Sequence, residues 1–450
     1  MEIKKANHID EIYGAVLSRA LEINEIDSFY CEADPVRGGL SARKQLQLKI
    51  QQNANEGRNS HFLFVGYRGC GKSTELNHLQ KDLDGNYAVL NYSVMKELDP
   101  QSIQYIELFI VTMERLFRLA DDEQLDIDQD FLTKIVNWTR TKEIDEIREK
   151  HFSAEAEAGL ETKGGLPFLL SYFVKLKGAA KASKSFKETI RQTLEPRLSD
   201  LIHHCNELIT VVRMKMVEKG KKDLVIFIED LDKIPLDIAQ KLFFNYAHQL
   251  TQLKATVVYT FPVTLYYNTS FGAIRNYFSD TIELPMIKTR QKDGTEYAAG
   301  LDVLKKIVDT RINSALFASA DIQRKFFLCT GGVIRDLFAM INVAATAAQI
   351  EASAMINEDH FTYAYNQLKK EYNNTIADHY DTQNDKRYEA KDFYTAMADL
   401  VRSAEKKPDN SAIMMLLRQN LCVLSYNGEG WCDVHPIMKD ILLEKGYPLT

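Results

Sequence analysis

Residues His61 to Leu76 read HFLFVGYRGCGKSTEL, and no other stretch constrains the fold as tightly. Phe62 to Val65 form a short apolar, β-prone run suited to a buried parallel strand. Gly66-Tyr67-Arg68-Gly69-Cys70-Gly71-Lys72-Ser73 then meets G-x-x-x-x-G-K-[ST] at every fixed position, and Thr74, Glu75, Leu76 and Leu79 open a helix pattern. Such a loop between a strand and a helix wraps a chain of phosphates. Its glycines let the backbone close around the oxygens, its N–H groups and the helix N-terminus point at them, Lys72 neutralises β/γ charge and the Ser73 hydroxyl holds Mg²⁺. The expected nucleotide contacts are Gly66, Arg68, Gly69, Cys70, Gly71, Lys72, Ser73 and Thr74.

A phosphate-binding loop needs a second strand that brings carboxylates to the metal. Lys221 to Ile234, KKDLVIFIEDLDKI, supplies it: the apolar run Leu224 to Ile228 ends in Glu229-Asp230 and then Asp232. A uniformly apolar, β-branched-rich run reads as a central parallel strand, so its acids emerge at the carboxyl edge beside the loop. Glu229 is expected to assist Mg²⁺ together with Ser73, and Asp230 to polarise the attacking water. A one-residue register slip would exchange their faces.

Asn86 to Met95, Thr256 to Phe261 and Thr281 to Leu284 add three strand candidates, separated from the others by helical patterns. Five strands in that alternation predict an α/β fold, a parallel P-loop NTPase sheet covered by helices. The nucleotide-binding domain is read as 30–290, preceded by an N-terminal helix over 1–29. A helical lid over 291–384 holds periodic segments at Leu301 to Leu316, Ile322 to Leu328, Val333 to Ala347 and Glu358 to Tyr372. The segment 385–450 reads as a winged helix: a helix at Ala412 to Arg418, strands Val423 to Tyr426 and Trp431 to Val434 about an Asn427-Gly428 turn, and a closing helix Ile437 to Leu443. Its 9 basic and 10 acidic residues give no nucleic-acid footprint.

Lys72 and Glu229 stand 157 residues apart, so a helical insertion is expected at about 100–220. Its charge divides: 97–161 holds 17 acidic and 7 basic side chains, 163–222 holds 13 basic and 5 acidic. Lys163 to Lys187 carries six lysines and no acid, interleaved with Phe168, Tyr172, Phe173 and Phe186. Two readings are open: a grip on single-stranded nucleic acid or an anionic surface, or packing of the basic half on the acidic half or on a neighbouring subunit. Adjacent opposite blocks most simply satisfy each other, which favours packing.

The 450-residue chain carries a net charge of −7, so any nucleic-acid contact must be a local patch. Six cysteines without a C-x-x-C pair point to reduced thiols and a cytoplasmic protein, not a zinc ribbon or a disulfide framework. The first residues lack the apolar core of a signal peptide, and the longest strongly apolar run, Leu166 to Val174, is about half a membrane span. His203-His204-Cys205 invites a metal reading, but adjacent helical residues diverge by about 100° and no C-x-x-C partner exists, so none is assigned.

The two nucleotide motifs, the lid-like helices and the winged-helix tail together resemble the AAA+ ATPases, nearest to the branch of origin-recognition and Cdc6-like initiators and the related signal-transducing STAND ATPases. The resemblance spans 30–95 and 221–450. It implies ATP and Mg²⁺ as cofactors, and sensor roles for two residues. Gly331-Gly332-Val333-Ile334-Arg335-Asp336-Leu337 is similar to the G-G-x-x-R-x-L start of the lid helix, which makes Arg335 the sensor 2 of the γ-phosphate. Thr260 falls at the place of the polar sensor 1, and Arg275 near that of an arginine finger offered to the next subunit. Two features depart from the family: the acidic pair begins with Glu229 instead of Asp, and no clear finger signature surrounds Arg275. The implied function is an ATPase, slow or stimulated by a partner, that switches self-assembly or engagement of an effector protein, a role suited to a bacterial defence or signalling system. The alternatives are a DNA-dependent initiator or loader ATPase and a nucleotide-bound scaffold that does not hydrolyse.

Overall fold

Runs of apolar residues too short for a helix, each followed by an amphipathic segment, become parallel strands joined by helical crossovers. The computed structural model describes residues 3–139, 165–381, 385–407, 410–426 and 430–449. Helix α1 (Ala42–Asn55), whose Ser41 cap accepts a hydrogen bond from the Lys44 N–H, leads into β1 (His61–Gly66). Helix α2 (Lys72–Asp84) follows, then β2 (Ala88–Ser93). The sheet is completed by β3 (Leu224–Glu229), β4 (Thr256–Pro262) and β5 (Asp280–Glu283) in the order β2-β3-β4-β1-β5, every neighbouring pair parallel. β1, β3 and β4 are buried at every residue, which is why they read as unbroken apolar runs. The five strands stand where the sequence placed them, their ends shifted by one to a few residues.

Between β2 and β3 lie α3 (Tyr105–Asp122), α4 (Gln129–Thr139), α5 (Leu166–Ala182), α6 (Lys184–Leu194) and α7 (Leu198–Glu218). Part of the basic half is paired with the acidic half. Lys177 bridges Glu97 at 2.5 Å and Glu114 at 3.2 Å, Lys187 meets Asp99 at 2.7 Å, Arg191 meets Glu107 at 2.7 Å, and Lys181 donates to the Lys96 carbonyl. Phe168, Tyr172, Phe173 and Phe186 are buried, which removes them as stacking surfaces for bases. Lys163 lies outside the described residues.

The chain then turns helical: α8 (Ala298–Asp309), α9 (Ala320–Cys329), α10 (Ile334–Ile350) and α11 (Glu358–Asn374). The helix expected over Leu301 to Leu316 ends at Asp309, because residues 310–313 turn out to pair with the N-terminal segment: Ala6 N donates to the Arg311 carbonyl at 2.7 Å and Asn313 N to the Ala6 carbonyl at 2.9 Å. The helix expected over 1–29 is instead a series of short turns at Ile9–Glu11, Ile12–Ala15, Ile23–Glu25 and Ile26–Phe29. Glu11 and Glu25 fold back onto the backbone N–H groups at the start of their own turns, and Ala6, Ile9, Ile12, Ala15 and Val16 bury against the core of the C-terminal helices. A short ribbon of β6 (His379–Asp381) and β7 (Lys386–Tyr388) and helix α12 (Ala390–Arg402) lead to the tail. There α13 (Ala412–Gln419), the antiparallel pair β8 (Val423–Tyr426) and β9 (Trp431–Val434), and α14 (Pro436–Glu444) come in the expected order. The Asn427-Gly428 turn lies outside the described residues. No helix among the described residues is long and apolar enough to cross a membrane.

Candidate functional site

The loop from β1 to α2 takes its shape from two left-handed glycines, Gly69 (φ 80°) and Gly71 (φ 107°), the latter capping α2. At Gly69 a side chain is excluded twice over, since a Cβ there would stand 2.8 Å from Cβ of Arg335. Loop and Arg335, near the start of α10, therefore touch at the motif itself. Lys72 is buried and points back along the loop, donating to the Gly66 carbonyl at 2.6 Å and the Tyr67 carbonyl at 2.8 Å, with Asp232 Oδ2 2.9 Å away as an ion pair. Burial alone would raise the Asp232 carboxyl, yet the Lys72 charge, helped by Lys233 and Arg68, holds it below the usual range.

The acidic residues separate into distinct jobs. Glu229, the last residue of β3, is paired in register with Ser93, accepts from Asn91 Nδ2 at 2.9 Å, and is hydrogen-bonded to Ser73. Burial raises its carboxyl, and the Ser73 and Asn91 hydrogen bonds work against that rise. Asp230 is left-handed (φ 69°), an arrangement that costs a non-glycine residue about 1–3 kcal/mol and is kept at functional sites. The twist turns its carboxylate to the Ser93 hydroxyl, which donates to it, and to Lys233 Nζ at 2.5 Å. Glu229 and Asp230 thus face different neighbours, and it is Glu229 that meets Ser73. A serine hydroxyl and a desolvated carboxylate form an all-oxygen donor set of the kind Mg²⁺ takes.

A cleft of about 1070 Å³ opens over this edge of the sheet, and Arg68, Gly69, Gly71, Lys72, Ser73, Thr74, Glu229, Asp230 and Arg335 all line it. Gly66 and Cys70 contribute backbone carbonyls instead, the second accepting from Arg37 at 2.7 Å. The Thr74 hydroxyl accepts from Leu21 N at 3.3 Å, and Arg68 Nε donates to the Asp232 carbonyl at 3.3 Å. Thr260 is buried off the cleft; its hydroxyl accepts from Leu231 N at 3.0 Å and so fastens the turn that carries Asp230 and Asp232. Arg275 is exposed on a short turn before β5 and does not reach the cleft of its own chain.

Several residues of the site carry no motif. Asn91 and Ser93 alternate along β2, a period-2 signal beside the acidic strand. Arg37, buried against the loop, and Arg311 and Phe338, on the far wall of the cleft, come from scattered segments with no local pattern to expose them. His203, His204 and Glu207 do cluster on α7, each imidazole 3.2 Å from Glu207, but Lys134 at 2.6 Å already occupies that carboxylate.

Sheet order, the loop's place after β1 and the acids at the end of β3 define an α/β P-loop NTPase fold. No protein-family model matches the chain, and no curated protein matches its sequence. Among solved structures it is similar to the Holliday junction branch migration motor RuvB of Thermotoga maritima, at 10% identity over 91% of this chain and 95% of that one, with a TM-score of 0.35. It is also similar to the Aeropyrum pernix ORC1 protein in complex with DNA (11%, 92% and 95%, TM-score 0.38) and to Cdc6p from Pyrobaculum aerophilum (12%, 93% and 98%, TM-score 0.37).

Proposed function

We propose that this chain is an ATPase of the AAA+ type that binds ATP with Mg²⁺ and uses its hydrolysis to switch self-assembly or the engagement of a partner protein, in keeping with a bacterial defence or signalling role. The observation that carries the reading is the meeting of Lys72, Ser73, Glu229 and Asp230 in one cleft at the carboxyl edge of a parallel sheet. Lys72 exchanges its loop carbonyls and Asp232 for β/γ oxygens, and backbone N–H groups of 69–74 cradle the phosphates. Ser73 and Glu229 hold Mg²⁺, which when bound supplies positive charge to the β/γ oxygens. Asp230, close to the hydroxyl of Ser93, orients and polarises water against the γ-phosphate. Arg335 senses the γ-phosphate from the lid, Thr260 sets the position of the acidic turn, and Arg275 is offered to a neighbouring subunit. The working units are the 30–290 nucleotide domain with its 100–220 insertion, the 291–384 lid and the 385–450 winged helix.

Phosphate release measured against protein concentration tests this reading. The specific rate should rise with concentration, and mixing Arg275→Ala with Asp230→Asn protein should restore activity, because some interfaces then pair an intact Arg275 with an intact Asp230. A monomer whose rate ignores concentration leaves Arg275 without a role. Nucleotide bound without any phosphate release identifies the non-hydrolysing scaffold.

A further inference from the structure

The wall of the cleft away from the phosphate loop contains a cation that the phosphate chemistry does not use. Arg311 lies two residues beyond the end of α8, is only 6% exposed, and lines the cleft. Its Nη1 donates to the Ile307 carbonyl at 3.1 Å, while Nε is buried with no partner. No carboxylate among the described residues pairs with it. Glu25, whose charge acts on it, is already held by Arg19 at 2.6 Å. Burial accordingly pulls the guanidinium down to about 10. A buried arginine without an acid is costly, and proteins keep such groups where a ligand completes them.

Its surroundings say which part of the ligand that is. The guanidinium carbon lies 4.9 Å from the Phe338 ring centroid and 5.9 Å from that of Phe29, so the cation rests against two aromatic rings. Phe338 stands three residues after Arg335 on α10, on the same helix face and further from the loop. With phosphates at Lys72 and Arg335, the aromatic wall meets the uncharged half of the nucleotide.

We propose that Arg311 is a specificity-determining residue that donates a hydrogen bond to an acceptor atom of the nucleoside, a base ring nitrogen or a ribose hydroxyl oxygen. The assignment rests on the nucleotide reading above. It differs in kind from Arg335: the nucleoside is common to ATP and ADP, so Arg311 strengthens both equally. A guanidinium has donors only, so the atom it meets must accept.

The experiment compares wild-type protein and Arg311→Met in equilibrium titrations with ATP, ADP, the 1-, 3- and 7-deaza analogues of ATP, and 2′- and 3′-deoxy-ATP. Arg311→Met should bind ATP and ADP about tenfold more weakly, by the same factor, as for loss of a hydrogen bond from a charged donor. One analogue should show a comparable loss on wild-type protein, and that loss should vanish in Arg311→Met. The identity of the analogue tells base from ribose. Should Arg311→Met fail to fold, the wild-type titrations still decide: if every analogue binds as ATP does, the proposal is overturned. An analogue loss that persists undiminished in Arg311→Met overturns it as well. Wild-type protein that binds no nucleotide refutes the broader ATPase reading, a distinct result from one in which ATP binds and Arg311 is indifferent.

Discussion

The two ends of the cleft are built in opposite ways. At the phosphate end one contiguous stretch, Gly66 to Thr74, supplies backbone, lysine and hydroxyl, and one strand end supplies the acids; Lys72 rests on Asp232 and Lys233 on Asp230. The end proposed for the nucleoside is assembled from the turn at 17–31, Arg311 just beyond α8 and the first turns of α10, and Arg311 has no acid among the described residues. Phosphate chemistry demands fixed local spacing, so it leaves a motif. Recognition of an aromatic base demands only a shaped wall, which tertiary packing can draw from anywhere.

That contrast is broken or sharpened by variants taken one end at a time. Asp230→Asn should leave ATP affinity intact while phosphate release falls about 10²–10⁴-fold, the usual range for a lost general base. Unchanged turnover would move the role to Glu229. Lys177→Met tests the insertion: Lys177 bridges Glu97, at the rim of the cleft, and the fully buried Glu114, and because Arg115 still pairs with both acids the loss of Lys177 should cost about 1–3 kcal/mol of stability in denaturant melts. Nucleotide affinity in the folded fraction should not change. Arg335→Ala should weaken ATP about tenfold more than ADP, since only ATP offers the γ-phosphate; equal losses would make it a second Arg311.

The smallest effect concerns Glu75, on the buried face of α2 between the two ends. It accepts from the Tyr30 hydroxyl at 3.1 Å, and Arg43 lies 3.6 Å away. Burial raises its carboxyl to about 7. The folded protein thus favours the protonated form. That contribution to stability is complete below the ordinary carboxylate range and is lost as pH rises through about 7. The Tm of wild-type protein relative to Glu75→Gln should accordingly fall by a few degrees between about pH 5 and pH 8. A constant difference would mean Arg43 and Arg37 keep Glu75 ionised throughout.

Most of the sheet was legible because β1, β3 and β4 are buried on both faces and show it as unbroken apolar runs. Charge blocks likewise announced the ion pairs of the insertion. Two kinds of feature were hidden. Asp230's left-handed backbone depends on the turn after β3 being fastened by Thr260, a contact spanning 29 residues of sequence. The N-terminal segment, expected as one helix, finds partners for its apolar residues in the C-terminal core, and that long-range burial decides its path. A DNA grip by Lys163 to Lys187 needs free lysines and exposed aromatics. Lys177, Lys181 and Lys187 are engaged and the rings are inside.

The claim beneath all of this is that the loop and the acids form one nucleotide site. Calorimetric titration of the wild-type chain with ATP in Mg²⁺ tests it most directly. One nucleotide should bind per chain, with affinity that drops when Mg²⁺ is chelated and disappears in Lys72→Ala, which lacks the mobile cation of the cradle. Wild-type protein that takes up no ATP, or Lys72→Ala that binds it as tightly as wild type, would contradict the account.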